Sequence, residues 1–247
     1  MKLVFLFFLI IPLACMEADE PMPDTGGMMP EGDEPQDTTN TDNTMDALTY
    51  LALGDSYTIG ESVKESERWP VQLVSRLNNE TKLEVADPQI IATTGWTTSD
   101  LQGGIAREKP KGPFDLVSLL IGVNNQYRGY PFAEYEKEFP ELLEAAIAYA
   151  GGDVSRVFVV SIPDYGVTPF AENSDSDKIA KELDAYNAFA RAQAEAKGVM
   201  FFNITDISRE ATDKPEYVAG DGLHPSGVMY TEWVRRIFPW VAQTLNK

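Results

Sequence analysis

Four short blocks of this chain hold the residue types that acyl transfer needs. Gly54-Asp55-Ser56-Tyr57 offers a hydroxyl, Thr94-Gly95-Trp96 a flexible backbone N–H and Gly122-Val123-Asn124-Asn125 a side-chain amide; Asp221-Gly222-Leu223-His224-Pro225-Ser226 adds a carboxylate and the only histidine. A serine hydroxyl is a poor nucleophile until an imidazole can accept its proton, and that imidazole needs a carboxylate to fix its tautomer and stabilise its cation. Ser56, His224 and Asp221 are the residues that fit those roles. Asp221 and His224 stand three residues apart, so one tight turn can bring both to the same side. The oxyanion of a tetrahedral intermediate needs donors aimed at it, and the N–H groups of Ser56 and Gly95 with the amide of Asn124 are the candidates. The order Ser, Asp, His is that of the α/β-hydrolases, yet their G-x-S-x-G elbow is missing.

The elements that must position these blocks follow from apolar periodicity. Strands are predicted at Leu48 to Leu53, Pro88 to Ala92, Leu116 to Ile121, Arg156 to Ile162 and Val199 to Asn203; the third and fourth are almost wholly apolar, as in strands covered on both faces. Helices are predicted at Arg68 to Asn79, Thr98 to Glu108, Phe132 to Ala150, Asp177 to Lys197 and Ser226 to Leu245, the last with a kink or break near Pro239. Such alternation implies an α/β fold with a parallel sheet wrapped by helices, here five strands in flavodoxin-like order. Ligands of such sheets sit beyond the carboxyl ends of the strands where strand order reverses. The first three blocks each follow one of the first three strands, so hydroxyl, glycine backbone and amide are expected on one rim.

Any one block alone is a weak signal, but the four in this order resemble the SGNH (GDSL-type) hydrolases, from about Leu48 to the C-terminus. The resemblance implies a three-layer αβα sandwich and hydrolysis of esters or thioesters without metal or cofactor, with the roles given above for Ser56, Gly95, Asn124, Asp221 and His224. One residue departs: Asn125 stands where the family often has Asp. Because it is not the oxyanion donor, altered local hydrogen bonding is expected rather than lost catalysis.

Around these blocks, Trp96, Tyr127, Arg128 and Tyr130 are candidates for lining an acyl or sugar pocket. Asp164, after the fourth strand, is a candidate for touching substrate or for holding its loop. Trp69-Pro70 reads as a structural helix start, and the apolar face of Ile179 to Ala196 as core.

The N-terminus runs from Met1-Lys2 through an unbroken apolar stretch, Leu3 to Ala14, to Cys15. Twelve residues of helix rise about 18 Å, short of a bilayer core of about 30 Å, so residues 1–15 read as an export signal. Leu13-Ala14-Cys15 resembles the end of a bacterial lipobox, with Pro12 where Leu is usual; lipidation at Cys15 and ordinary cleavage nearby are both open readings. Residues 16–46 carry ten Asp or Glu and no Lys or Arg and have no apolar period, the composition of a solvated tether. Residues 47–247 are the single catalytic domain. The chain as a whole has a formal charge of −19, which repels phosphate backbones and anionic lipid heads, so neither nucleic acid nor a polybasic membrane contact is expected. One Cys and one His leave no zinc ligand set, and no Gly-rich phosphate loop is present.

The expectation is therefore a monomeric serine esterase, exported and lipid-anchored at a bacterial membrane, with the outer membrane or cell surface as candidate locations. Its substrate is expected to be a small-molecule or glycan ester, foremost an acetylated extracellular carbohydrate. Alternatives are a lysophospholipase or short-chain lipase, a glycan-binding module without turnover, and a flavodoxin-like nucleotide binder. Intact Ser56, Asp221 and His224 speak against the last two.

Overall fold

Five short apolar runs form strands in the computed structural model, which describes residues 47–246: β1 (Tyr50–Gly54), β2 (Gln89–Ala92), β3 (Leu116–Leu120), β4 (Val157–Val160) and β5 (Met200–Phe202). Cys15, the apolar leader and the acidic stretch to Asp46 lie outside the described residues. All neighbours pair in parallel in the order β2-β1-β3-β4-β5. Every residue of β1, β3 and β4 is buried, so these strands are covered on both faces. Leu48 makes only an isolated bridge with Val85, and Arg156 belongs to a helical turn, so β1 and β4 are shorter than the apolar runs that predict them.

The helices are α1 (Ser56–Ile59), α2 (Trp69–Glu80), α3 (Thr98–Glu108), α4 (Val123–Tyr127), α5 (Phe132–Tyr149), α6 (Ser176–Ala196), α7 (Thr205–Arg209) and α8 (Gly227–Leu245). Right-handed crossovers decide their side. The step from β1 to β2 moves one way along the sheet and the later steps move the other way, so α2 lies on one face and α3, α5 and α6 on the opposite one. On the α2 face, α8 packs beside α2. There the Phe158 ring meets Trp69 of α2 at 6.2 Å and Trp240 of α8 at 6.0 Å. The result is a three-layer αβα sandwich.

Helix starts follow local capping chemistry. Thr97 and Asp100 form a reciprocal capping box on α3, while Asp175 and Ser226 accept N–H bonds at the starts of α6 and α8. Pro239 lies inside α8 without breaking it, and the helix runs on to Leu245. Burial of Met229, Tyr230, Trp233, Val234, Ile237 and Val241 along one face offsets the hydrogen bond that proline removes. The short helices α1, α4 and α7 have no counterpart in the apolar periodicity; α1 and α4 turn the chain sharply at the ends of β1 and β3.

Asp55 caps α1 through Oδ1, which accepts the Tyr57 N–H at 3.0 Å. Its side chain is fully buried, and Oδ2 has no hydrogen-bond partner among the described residues. Burial pushes the carboxyl up to about 7 from 3.8, against the lowering effect of backbone N–H bonds. A group that holds its proton more tightly when folded contributes stability that is complete below about pH 4 and lost as pH rises through about 7. Asp55→Asn, which mimics the protonated state, is expected to gain stability over wild type between pH 4 and 8, by on the order of a few kcal/mol. Urea unfolding at several pH values measures this, and a wild-type-to-variant difference independent of pH would contradict it.

Candidate active site

The reversal of strand order falls between β1 and β3, and the carboxyl ends of these two strands carry Ser56 and Asn124. Gly54 ends β1 where a Cβ would stand 2.2 Å from Thr58 Oγ1 and 2.6 Å from the Leu120 carbonyl, so only glycine lets the chain turn there against β3. The loop after β2 brings Thr94 and Gly95 to the same rim, and the turn before α8 brings His224. Ser56, Gly95, Asn124 and His224 line one cavity of about 190 Å³, together with Tyr57, Thr94, Val123, Tyr127, Tyr165, Phe170 and Leu223.

The carboxylate of Asp221 is tied down on both oxygens. Oδ1 accepts the backbone N–H groups of Leu223 at 2.9 Å and His224 at 3.0 Å, which closes the three-residue turn. Oδ2 lies 2.6 Å from His224 Nδ1 and accepts the Ser62 hydroxyl at 2.6 Å. Burial would raise the Asp221 carboxyl, but the bonds from Ser62, His224 and the two N–H groups outweigh it and hold the group well below the ordinary carboxylate range. An ionised carboxylate can only accept, so the proton in this pair belongs to Nδ1. In the neutral ring Nε2 then carries a lone pair. The Tyr57 ring packs edge-on against the imidazole, with centroids 5.7 Å apart.

On the other side of the cavity, the Asn124 amide donates one hydrogen to the Trp96 carbonyl at 2.9 Å. An amide has two, so the second remains for a ligand. Gly95 has φ +84°, a conformation other residues rarely adopt, and its carbonyl accepts from Arg128 Nη2 at 2.5 Å. Asn125 faces away from the cavity. Its Oδ1 accepts the Thr98 N–H at 3.0 Å, and its Nδ2 donates at 2.7 Å to the Thr98 hydroxyl, which itself donates to Glu138 at 2.5 Å. An aspartate at this position would compete with Glu138 for the single hydroxyl proton. The asparagine supplies a hydrogen where a carboxylate could not, so this departure from the family pattern is compensated locally.

The neighbouring residues separate into three groups. Tyr127 lines the cavity and is 55% exposed at its mouth. Trp96 does not line it; its ring lies against α3, where a Cβ on Gly104 would touch it at 2.3 Å. Arg128 acts on the Gly95 peptide, and Tyr130 is exposed outside the cavity. Asp164 is buried and bound to its own loop: it accepts from the Gly166 N–H and from Arg209 Nε, at 2.8 and 2.9 Å. It therefore lies outside the lining, as a loop brace. Ser62 stands in a loop and Phe170 in a single 3-10 turn that no motif or spacing singles out; Tyr165, next to Asp164 on the ligand-facing rim after the fourth strand, opens another such turn. Leu223 lies within a quoted block but carries no polar chemistry.

The chain matches the model of the GDSL-like Lipase/Acylhydrolase family over residues 52–231. No curated protein matches it. Among solved structures it is similar to TesA, with 18% identity, a TM-score of 0.60 and coverage of 79% of this chain and 99% of that one. It is also similar to a single-residue variant of an acetyl xylan esterase from Geobacillus stearothermophilus, with 19% identity, TM-score 0.55 and coverage of 80% and 97%. A third is the lipase/acylhydrolase from Enterococcus faecalis, with 22% identity, TM-score 0.56 and coverage of 79% and 96%. At these identities the structures speak for the fold, while the family match spans well over half the chain: this protein belongs to the GDSL-like lipase/acylhydrolase family of ester hydrolases.

Proposed function

We propose that the protein hydrolyses a short-chain carboxylic ester through an acyl-serine intermediate, most readily an acetyl group on an extracellular carbohydrate. The observation that carries this reading is the cavity shared by Ser56, Gly95, Asn124 and His224, with the imidazole bonded to Asp221 behind it. In this reading His224 Nε2 takes the Ser56 proton as Oγ attacks the ester carbonyl. The resulting oxyanion is met by the N–H groups of Ser56 and Gly95 and the free hydrogen of Asn124. Collapse expels the alcohol, which receives the proton from His224; the ring then activates water, and attack on the acyl-serine releases the acid.

A cavity of about 190 Å³ suits a small acyl group. Tyr127 and Phe170, 55% and 49% exposed with ring centroids 6.0 Å apart and planes inclined by 50°, offer an exposed aromatic shelf at its mouth for one face of a sugar ring. Similarity to an acetyl xylan esterase favours the same class. The exposed apolar rings also support a second reading, a short-chain lipase or lysophospholipase, in which the shelf meets an alkyl chain. The leader and Cys15 further support export and attachment to a bacterial membrane by lipid alone.

Ser56→Ala is expected to lower p-nitrophenyl acetate turnover by about 10⁴-fold while leaving the melting temperature within a few degrees; retention of full activity would defeat the assignment. The substrate class is read by Tyr127→Ala and Phe170→Ala. For a carbohydrate ester these raise KM on acetylated xylan by about tenfold and leave p-nitrophenyl acetate nearly unchanged. If instead turnover of longer p-nitrophenyl esters and lysophosphatidylcholine is what collapses, the lipase reading replaces the carbohydrate one.

A further inference from the structure

The chain between α1 and α2 touches two of the other site loops, the one after β2 and the turn before α8. It begins on the nucleophile's own backbone, where the Ser56 carbonyl accepts the N–H groups of both Gly60 and Glu61 at 3.0 Å. The next two side chains reach outward. The Glu61 carboxylate accepts the hydroxyl of Thr94, the residue before Gly95, and Ser62 donates to Asp221 Oδ2 across 159 positions of sequence. Ser62 holds φ +64°, a region that non-glycine residues seldom occupy. Its side chain is at the surface and fills no core space. Strain kept at such a position needs a local reason, and the bond it makes is to the carboxylate that orients the only histidine.

We propose that Ser62 is a positioning residue of this esterase, its hydroxyl holding the Asp221 carboxylate, and through it the His224 ring, in register with the turn that carries Ser56. This rests on the roles proposed for Ser56, Asp221 and His224. Ser62 and His224 Nδ1 share one oxygen, so the hydroxyl also moderates how strongly that oxygen holds the imidazolium. Tyr57 packs against the His224 ring and interacts electrostatically with Asp55, Tyr230, Tyr165 and Asp164; Tyr230 interacts in the same way with Asp221, Asp55 and Glu61. Replacing Ser62 removes none of these groups.

Because the protein has one histidine, its Nδ1–H proton can be followed directly by NMR in the untagged enzyme, whether or not any ester is turned over. Ser62→Ala and Ser62→Gly both remove the hydroxyl, but only glycine relieves the positive φ. In both, the Nδ1–H resonance is expected to move downfield as Oδ2, no longer shared with the hydroxyl, becomes the stronger acceptor. In both, kcat on p-nitrophenyl acetate falls about three- to tenfold at steady KM as the carboxylate loses its tether. An unmoved resonance overturns the proposal, and so does a glycine variant that restores what the alanine variant loses, since backbone strain alone would then explain the effect. Wild-type enzyme without ester turnover would instead remove the reading of Ser56 as nucleophile, while the resonance still reports on the Ser62 bond.

Discussion

The hydrogen bond between Asp221 and His224 is the interaction on which the rest of the site depends. A carboxylate that is already ionised can accept but cannot donate, so its partner nitrogen must carry the proton, which leaves the far nitrogen of the neutral ring with the lone pair that the proposed base role needs. That logic works only if the carboxylate cannot swing away. Two backbone N–H groups of its own turn hold one oxygen, and Ser62 holds the other. The imidazole is thereby presented to the cavity in one tautomer and one orientation.

The sheet and the turn before α8 bring the serine and that imidazole to one cavity. Right-handed crossovers and a strand order that reverses between β1 and β3 open a crevice at the carboxyl ends of the two strands that carry the hydroxyl and the amide. The strands themselves are buried on both faces, so their ends are fixed by the core rather than by loop flexibility. The donor side is braced separately. Arg128 fixes the Gly95 peptide, Trp96 accepts from Asn124, and the chain from Asn125 through Thr98 to Glu138 ties the end of β3 to α3 and α5. Gly95 and Asn124 are thus held in place by partners of their own, as the oxyanion role proposed for them requires.

Much of this is legible in the sequence because the physics involved is local. The apolar runs at Leu116 to Ile121 and Arg156 to Ile162 mark strands covered twice, and the position of each polar block after a strand marks the rim. The same alternation calls for a parallel sheet, whereas its strand order is a choice among doubly wound patterns, and the flavodoxin-like one expected is the one observed. What stays hidden depends on long-range contact. Ser62 meets Asp221 across 159 positions, and nothing periodic announces it. Tyr165 and Phe170 reach the cavity from a loop whose path is set by Asp164 and Arg209, which pair 45 positions apart. Asp164 reads as a substrate contact or, more readily, as a holder of its loop, and Arg128 reads as a pocket residue, since a charged side chain near a strand end suits either role. Only their partners separate the two roles. At Pro239 local propensity argues for a break, and burial along α8 outweighs it.

Peptide mapping by mass spectrometry after reaction with a fluorophosphonate tests the central claim most directly. The account predicts one phosphonyl group, on Ser56, and its loss when His224 is replaced by alanine, because the hydroxyl then has no base. Labelling at another residue, or undiminished labelling of Ser56 without the imidazole, would contradict it.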